Sequence, residues 1–393
     1  MYLAIIEARY DYQMSYLLDW QIAWGKIATK ILNVNLVSGK NLNILSKEFN
    51  SFDLVVILHS GTADSNVWLQ KLLRVLPENR NTQVVLFVGN EFSSPWLSTA
   101  DRLNSISNIN PDILASQLTL ETAEWLYAGR AKKVVSAPPG IPEQTNSLAS
   151  TNKLFDFSYR GFIYPWYLLD KERNSIVNMV LDHCESLKLK VNFSQSNRLS
   201  KFDWQNLLSQ TRFTASTEAG SRYVFRDDEV WQNFKEYFIR NPQKSVSVTN
   251  DANGMVFLRR LPHPIKNTVR KILNFAGVTQ GSLYQPSSVE EEIFLSLISP
   301  DKYEHKNGKC LSSRHFDAIA SGTWQILAPG AYNGLLKPNV HYSEQNLDGH
   351  KIESIIDISL NAFEAGLTTS AYEDLIFDNS YDARVELIRS HLR

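Results

Sequence analysis

Cysteine is scarce in this chain: Cys184 and Cys310 are the only two among 393 residues, and they lie far apart. A disulfide framework is thereby excluded, and two reduced thiols in a cytosolic setting are expected. Long apolar runs are also missing, since none approaches the roughly 18 residues that a membrane span requires. The opening MYLAIIEARYDY lacks the basic flank and cleavage site of a signal peptide. The expected location is therefore the cytoplasm, or peripherally the inner face of the membrane. Charge of one sign is not in excess: the formal net charge of -1 argues against a dedicated nucleic-acid binder. Several motifs are absent too. There is no G-x-G-x-x-G, no G-x-x-x-x-G-K-[ST], no H-E-x-x-H and no G-x-S-x-G. That removes the dinucleotide fingerprint, the phosphate loop of nucleoside triphosphatases, the zinc-protease helix and the serine-hydrolase elbow. The eight histidines are scattered singly, so no metal site is expected.

What remains is an α/β pattern. Residues 3–6, 54–58 (LVVIL), 84–88 (VVLFV) and 134–135 are short apolar runs. Continuous β-branched runs suit strands buried on both faces of a parallel sheet. Helical patterns at 17–32 and 118–127 alternate with them, a rhythm that places helices on both sides of the sheet. APPGIP at 137–142 breaks every pattern, because each proline fixes φ and removes a donor. A second unit opens with a strand at 155–159 and continues with a helix across 168–187. Strands follow at 189–193, 213–216 and 324–327, a helix start falls in 310–320, and the tail from 352 onward is helical. A chain of this length exceeds what one core usually serves. The expected division is 1–140, then 150–345 with an insertion around 225–277, then C-terminal helices 346–393 packing back on the first unit.

The stretch 255–277 holds Arg259, Arg260, Lys266, Arg270 and Lys271 and no acidic residue. Ile265, Val269, Ile272 and Ala276 share one helical face, with Lys266 and Arg270 on another. Such a helix either rests on anionic lipid or packs on its own domain with a solvated basic face.

Chemistry concentrates at 312–342, SSRHFDAIASGTWQILAPGAYNGLLKPNVHY. Ser312 or Ser313 can cap a helix that Gly322 ends, with Thr323 leading into the next strand. The amino end of such a helix offers N–H groups and partial positive charge to a phosphate, and Arg314 adds a fork of donors. An ordinary capped αβ unit reads equally well from these residues alone.

The segment Asp317-Ala318-Ile319-Ala320-Ser321-Gly322-Thr323 resembles the nucleotide-sugar motif of two-domain glycosyltransferases of the GT-B fold, especially the CgeB-like and family-4-like group. Tyr159-Arg160-Gly161 resembles that group's phosphate loop, TEAGSR at 217–222 its polar donor loop, and YNGLLKP at 332–338 its loop beyond the sugar-binding helix. The resemblance implies two Rossmann-like parallel-sheet domains facing across a cleft, with a helical C-terminal tail. It also implies metal-independent, retaining transfer of a sugar from a nucleoside diphosphate to a hydroxyl, with no permanently bound cofactor. The acceptor it implies is a glycan or lipid-linked glycoconjugate of the cell surface, as in polysaccharide biosynthesis. Donor-side residues would be Arg160, Gly161, Gly220, Ser221, Arg222, Ser313, Arg314, His315, Asp317, Gly322, Thr323 and Lys337. Asp317 replaces the commoner glutamate at the ribose position. Arg160 and Arg314 would neutralise the leaving diphosphate, while His59 and Glu91, each just past a first-domain strand, would face the acceptor; Asp11 is a weaker candidate there. A nucleotide-sugar epimerase of the same fold and a non-catalytic scaffold are the competing readings.

Overall fold

The computed structural model describes residues 1–9, 15–63, 65–95, 97–143, 152–161, 166–168, 170–195, 199–240, 246–248, 303–392 and scattered positions between 257 and 298. Asp11, Pro165 and nearly all of 255–277 lie outside the described residues. Among the described residues, no helix is long and apolar enough to cross a membrane.

The first sheet has six strands: β1 (Tyr2–Glu7), β2 (Lys30–Asn35), β3 (Leu54–Ile57), β4 (Gln83–Phe87), β5 (Ile113–Ser116) and β6 (Lys133–Ser136). They run in the order β2-β1-β3-β4-β5-β6, every pair parallel. The helices between them are α1 (Ser15–Lys26), α2 (Leu42–Glu48), α3 (Val67–Leu73), α4 (Thr99–Ile109) and α5 (Leu120–Leu126). The central strands β3 and β4 are apolar because both faces are covered. Val55, Ile57, Val84 and Leu86 join one core, while Leu54, Val56, Val85 and Phe87 join the core on the other face. The alternation follows from the two-residue period of a strand.

Helix α1 is shorter than its sequence pattern. It stops at Lys26, and 30–35 leaves it as the edge strand β2. Ile27, Thr29 and Ile31 are β-branched and favour the extended chain, and the amides of Thr29 and Lys30 donate to the carbonyl of Met1.

The second sheet contains β7 (Phe155–Arg160), β8 (Val191–Ser194), β9 (Thr211–Ser216), β14 (Trp324–Leu327) and β15 (Ser343–Glu344). Its order is β15-β14-β9-β7-β8, again all parallel. Helices α6 (Lys171–Ser186) and α7 (Lys201–Ser209) follow β7 and β8. Between β9 and β14 the chain makes β10 (Ala219–Val224), α8 (Glu229–Arg240), β11 (Val246–Val248), β12 (Val278–Gln280), β13 (Lys306–Cys310) and α9 (Ser313–Ala320). Residues 219–224 are thus a strand, so the polar loop read at 217–222 is confined to Thr217 and Glu218; Cys310 likewise ends a strand rather than opening a helix. Both segments pair with each other, β10 antiparallel to β13, and no local periodicity encodes such a distant pairing. Three helices close the chain: α10 (Ile352–Asn361), α11 (Leu367–Asn379) and α12 (Tyr381–Ser390).

The halves are joined in several places. Tyr381, Val385 and Ile388 of α12 pack into the first sheet's core with Trp20, Trp24 and Phe87. Where the chain crosses back, it runs so close to the earlier crossing that a Cβ on Gly140 would fall 2.5 Å from the amide nitrogen of Tyr381. The β10–β13 ribbon is built into the first domain: Val224 and Cys310 belong to its core. Phe225 donates its amide to Ser93 (3.0 Å), and the Asp228 carboxylate accepts from Ser98 Oγ (2.6 Å) and Thr99 N (2.8 Å) at the start of α4. Finally, Asp19 of α1 pairs with Lys201 of α7.

Candidate functional site

In open parallel sheets ligands bind beyond the carboxyl ends of the strands, where strand order reverses. In the second sheet that point lies between β7 and β9. Gly161 follows β7 there, and a larger residue would have to displace two side-chain ends. A Cβ would lie 2.4 Å from the Tyr159 hydroxyl and 2.9 Å from Arg314 Nη1. Arg314, at the start of α9, reaches across and donates Nη1 to the carbonyl of Arg160 at 3.0 Å. The amino end of α9 is therefore set against the end of β7, with a guanidinium between them.

Ser312 caps that helix through its side chain, and His315 closes the capping box, accepting from the Ser312 amide at 3.2 Å. His315 thus points inward and is fully buried. Its ring meets Tyr332 edge-on at 5.2 Å. Burial first, then the nearby Arg173 and Arg314 charges, push its pKa down to about 3. It therefore caps α9 as a neutral ring. Ser313 is the first residue of the helix.

Arg160 is placed differently from its expected role. Its guanidinium turns sideways along the sheet, donating to the Asn192 carbonyl at 3.0 Å and to the Asn192 side chain. What it gives the cluster is its backbone oxygen.

Other expected residues scatter. Asp317 is buried, its Oδ2 accepting from Trp204 Nε1 of α7 at 3.1 Å. Gly322 (φ +64°) and Thr323 lie at the amino end of β14, because α9 runs back along the sheet and its carboxyl end reaches the opposite edge. There Gly322 O accepts from Lys153 Nζ at 2.8 Å and Thr323 Oγ1 donates to Leu208 O at 2.5 Å. Lys337 is exposed in a turn tied to His341, which in turn meets Asp374 of α11 at 2.9 Å. Gly322 and Thr323 are therefore not brought to the β7 end.

A cavity of about 420 Å³ opens beside that cluster, past β9 and β14 and against the amino end of α6. Glu172, Glu218, Arg222 and Lys309 line it. Arg222 pairs with Glu172. Gly220, at φ +84°, is where β10 crosses Gly308 so closely that a Cβ would overlap the Gly308 carbonyl. Ser221 is buried and donates to Tyr223 O at 2.8 Å.

Behind the cavity stands a charged network that sequence reasoning missed. Lys309 Nζ meets Asp170 Oδ1 at 2.7 Å, with both side chains nearly inaccessible. Arg173 donates to the Glu218 carbonyl at 2.7 Å, and the Glu218 carboxylate accepts from the Tyr332 amide at 2.7 Å. Burial raises Glu218 and lowers Lys309 from their usual ranges. The sequence shows Arg173 only as one charge in a Lys-Glu-Arg run at a helix start, and Lys309 carries no signal at all.

In the first domain the residues just past β3 and β4 are buried. His59 is fully buried among Tyr16, Trp20 and Phe87, at ring distances of 5.3, 5.9 and 4.8 Å. Neither ring nitrogen has a hydrogen-bond partner among the described residues, and burial pushes its pKa down to about 3. Gly89 allows this packing, since a Cβ there would strike the His59 carbonyl at 2.6 Å. Glu91 accepts from Ser116 Oγ (2.6 Å), Gln117 N (2.5 Å) and Tyr127 Oη (2.9 Å). Burial nonetheless raises its pKa to about 7. Among the described residues, no three His, Cys, Asp or Glu side chains gather as metal ligands.

Neither a protein-family model nor a curated protein matches the sequence. Among solved structures, Anabaena Alr3699/HepE in complex with UDP-glucose superposes with a TM-score of 0.51 at 9% identity, over 100% of this chain and 99% of that chain. HepE with UDP gives a TM-score of 0.47 at 8% identity, over 100% of this chain and 99% of that one. The assignment rests on the first of these superpositions, and at such low identity it concerns architecture alone. Two parallel-sheet α/β domains with helices returning from the C-terminus constitute the GT-B fold.

Proposed function

We propose that this chain is a glycosyltransferase that moves a sugar from a nucleoside diphosphate to a hydroxyl of a glycan or glycoconjugate. The observation that carries the reading is Arg314 at the amino end of α9, set over Gly161 where the second sheet's order reverses. A diphosphate there would meet helix N–H groups and a guanidinium, both favourable to anions. Residues 150–345 would hold the donor, 1–140 would face the acceptor, and 346–393 would complete the first domain. UDP-glucose, bound by HepE, is the donor class to test first.

Bond cleavage places growing negative charge on the departing diphosphate. Fixed donors aimed at that charge lower the barrier most when water is excluded. In this reading the Arg314 guanidinium and the Ser313 amide at the start of α9 supply them, with Arg160 O fixing the guanidinium. The cavity bounded by Glu172, Glu218 and Lys309 would take the sugar, whose hydroxyls suit carboxylate and ammonium partners. Retention of anomeric configuration and a cell-surface acceptor follow from the family resemblance.

Calorimetry with UDP, GDP, dTDP, CDP and ADP, on wild type and Arg314→Ala, tests the reading. One diphosphate should bind wild type, with affinity lowered about 30-fold in the variant, the scale of a charge-assisted hydrogen bond. No binding to wild type, with or without Mg²⁺, would sink the reading and leave a scaffold of the same fold.

A further inference from the structure

After β14 the backbone does something unusual. Tyr332, Asn333 and Gly334 all have positive φ, at +46°, +54° and +73°. Glycine visits this region freely and asparagine tolerates it, but tyrosine does not. A left-handed run persists only where its surroundings over-determine it. Here they do. The Tyr332 amide donates to Glu218 Oε1 at 2.7 Å, its hydroxyl donates to the Ala328 carbonyl at 2.6 Å, and its ring lies against His315 of α9.

The consequence of the turn is where it puts Asn333. Oδ1 accepts from the Leu311 amide at 2.6 Å, one residue before the cap of α9. Nδ2 donates to the Gln117 carbonyl at 3.0 Å, in the first domain. The Leu311 amide can only donate and the Gln117 carbonyl can only accept, so the orientation of the side-chain amide is dictated by its partners. Gln117 is itself held, its amide donating to Glu91 Oε2 at 2.5 Å. A single side chain thus links the entry to α9 with a fixed point at the end of β5.

We propose that Asn333 is a positioning residue, registering the amino end of α9 and its Arg314 against the first domain. The inference rests on the transferase reading, because it gives Asn333 its effect through the diphosphate site and the alignment of the two halves. Its two bonds have separable consequences. The bond to Leu311 sets the diphosphate donors, whereas the bond to Gln117 sets the donor against the first-domain side from which water or an acceptor attacks.

Two variants separate them. Asn333→Asp keeps an acceptor for Leu311 and loses the donor to Gln117. Asn333→Gly loses both bonds but fits the left-handed turn without strain, so it folds. The measurements are the Kd of whichever diphosphate binds wild type in the panel above, turnover in hydrolysis of the matching diphosphate-glucose, and Tm. For Asn333→Asp, Kd should stay within about twofold while turnover falls about tenfold. For Asn333→Gly, Kd should also weaken about tenfold, the scale of one lost buried hydrogen bond. Wild-type Kd and turnover in both variants would overturn the proposal alone, as would losses in both that merely track a fall in Tm. No diphosphate binding by wild type would overturn the transferase reading, and this inference with it.

Discussion

The two sheets share a strand order through their first five strands, yet the carboxyl ends of those strands differ completely. In the first domain His59 and Glu91 are closed in, one by aromatic rings and one by three hydrogen-bond donors. In the second, Arg222, Lys309, Glu172 and Glu218 border an open cavity, with Arg173 and Asp170 behind them. The same topology creates the crevice in both cases. Side-chain chemistry then decides which crevice is lined by charge. The charged half holds its ions in pairs, and the enclosed half keeps His59 neutral and shifts Glu91 up to about 7. These are two solutions to the cost of burying polarity.

The largest effect should come from breaking the paired half. Lys309→Met strands the Asp170 carboxylate, leaving it Arg173 at 3.8 Å and the Thr217 hydroxyl at 3.4 Å. Urea unfolding should show a loss of about 3 kcal/mol, typical of a buried pair with one partner removed. A change below about 1 kcal/mol would mean that the network is not a pair in the sense drawn here.

The enclosed half is tested by pH. With Glu91 raised from 4.5 to about 7, the folded state holds a proton that the unfolded chain releases. Stability is therefore fully present below about pH 4.5 and is lost as pH rises toward 7, by up to about 3 kcal/mol. Glu91→Gln should remove that slope, whatever constant offset it adds. An unchanged slope between pH 5 and 7.5 in the variant would assign the proton elsewhere.

His59 has the opposite sign. Its pKa is depressed from 6.5 to about 3, so the unfolded chain gains a proton that the folded state refuses. Stability falls as pH drops below 6.5, by about 2 kcal/mol at pH 5. In His59→Phe, which keeps an aromatic ring in the same box, the fall between pH 7 and 5 should shrink by that amount. If it does not, the ring is more accessible than its packing indicates.

Much of this architecture is legible from sequence, and the limits have physical causes. The runs at 54–58 and 84–88 announce buried parallel strands, because both faces demand apolar residues. Arg314 and Gly161 are legible for another reason: a cap, a guanidinium and a strand-end glycine are local signals. Asp170 with Lys309 is not legible, since the partners come from opposite ends of the second domain and each looks like any surface charge. The ends of β3 and β4 could be located, but nothing local reveals that His59 would be walled in by Tyr16 and Trp20. Gly322 and Thr323 mislead because a helix motif read as a string does not show that its last residues return to the far edge of the sheet.

The ribbon that places Val224 and Cys310 in the first sheet's core also governs how the molecule can be assembled. Contacts so distant along the chain are slow to form, because the loop between them must close before any burial compensates for it. During synthesis the first 143 residues would emerge with their strands complete but an apolar face uncovered, and α4 without the Asp228 contact. The last α12 turn comes later still. The amino-terminal half is therefore finished only once residues 381–390 have been made, and a product cut short before them would be an aggregation hazard rather than a free-standing domain.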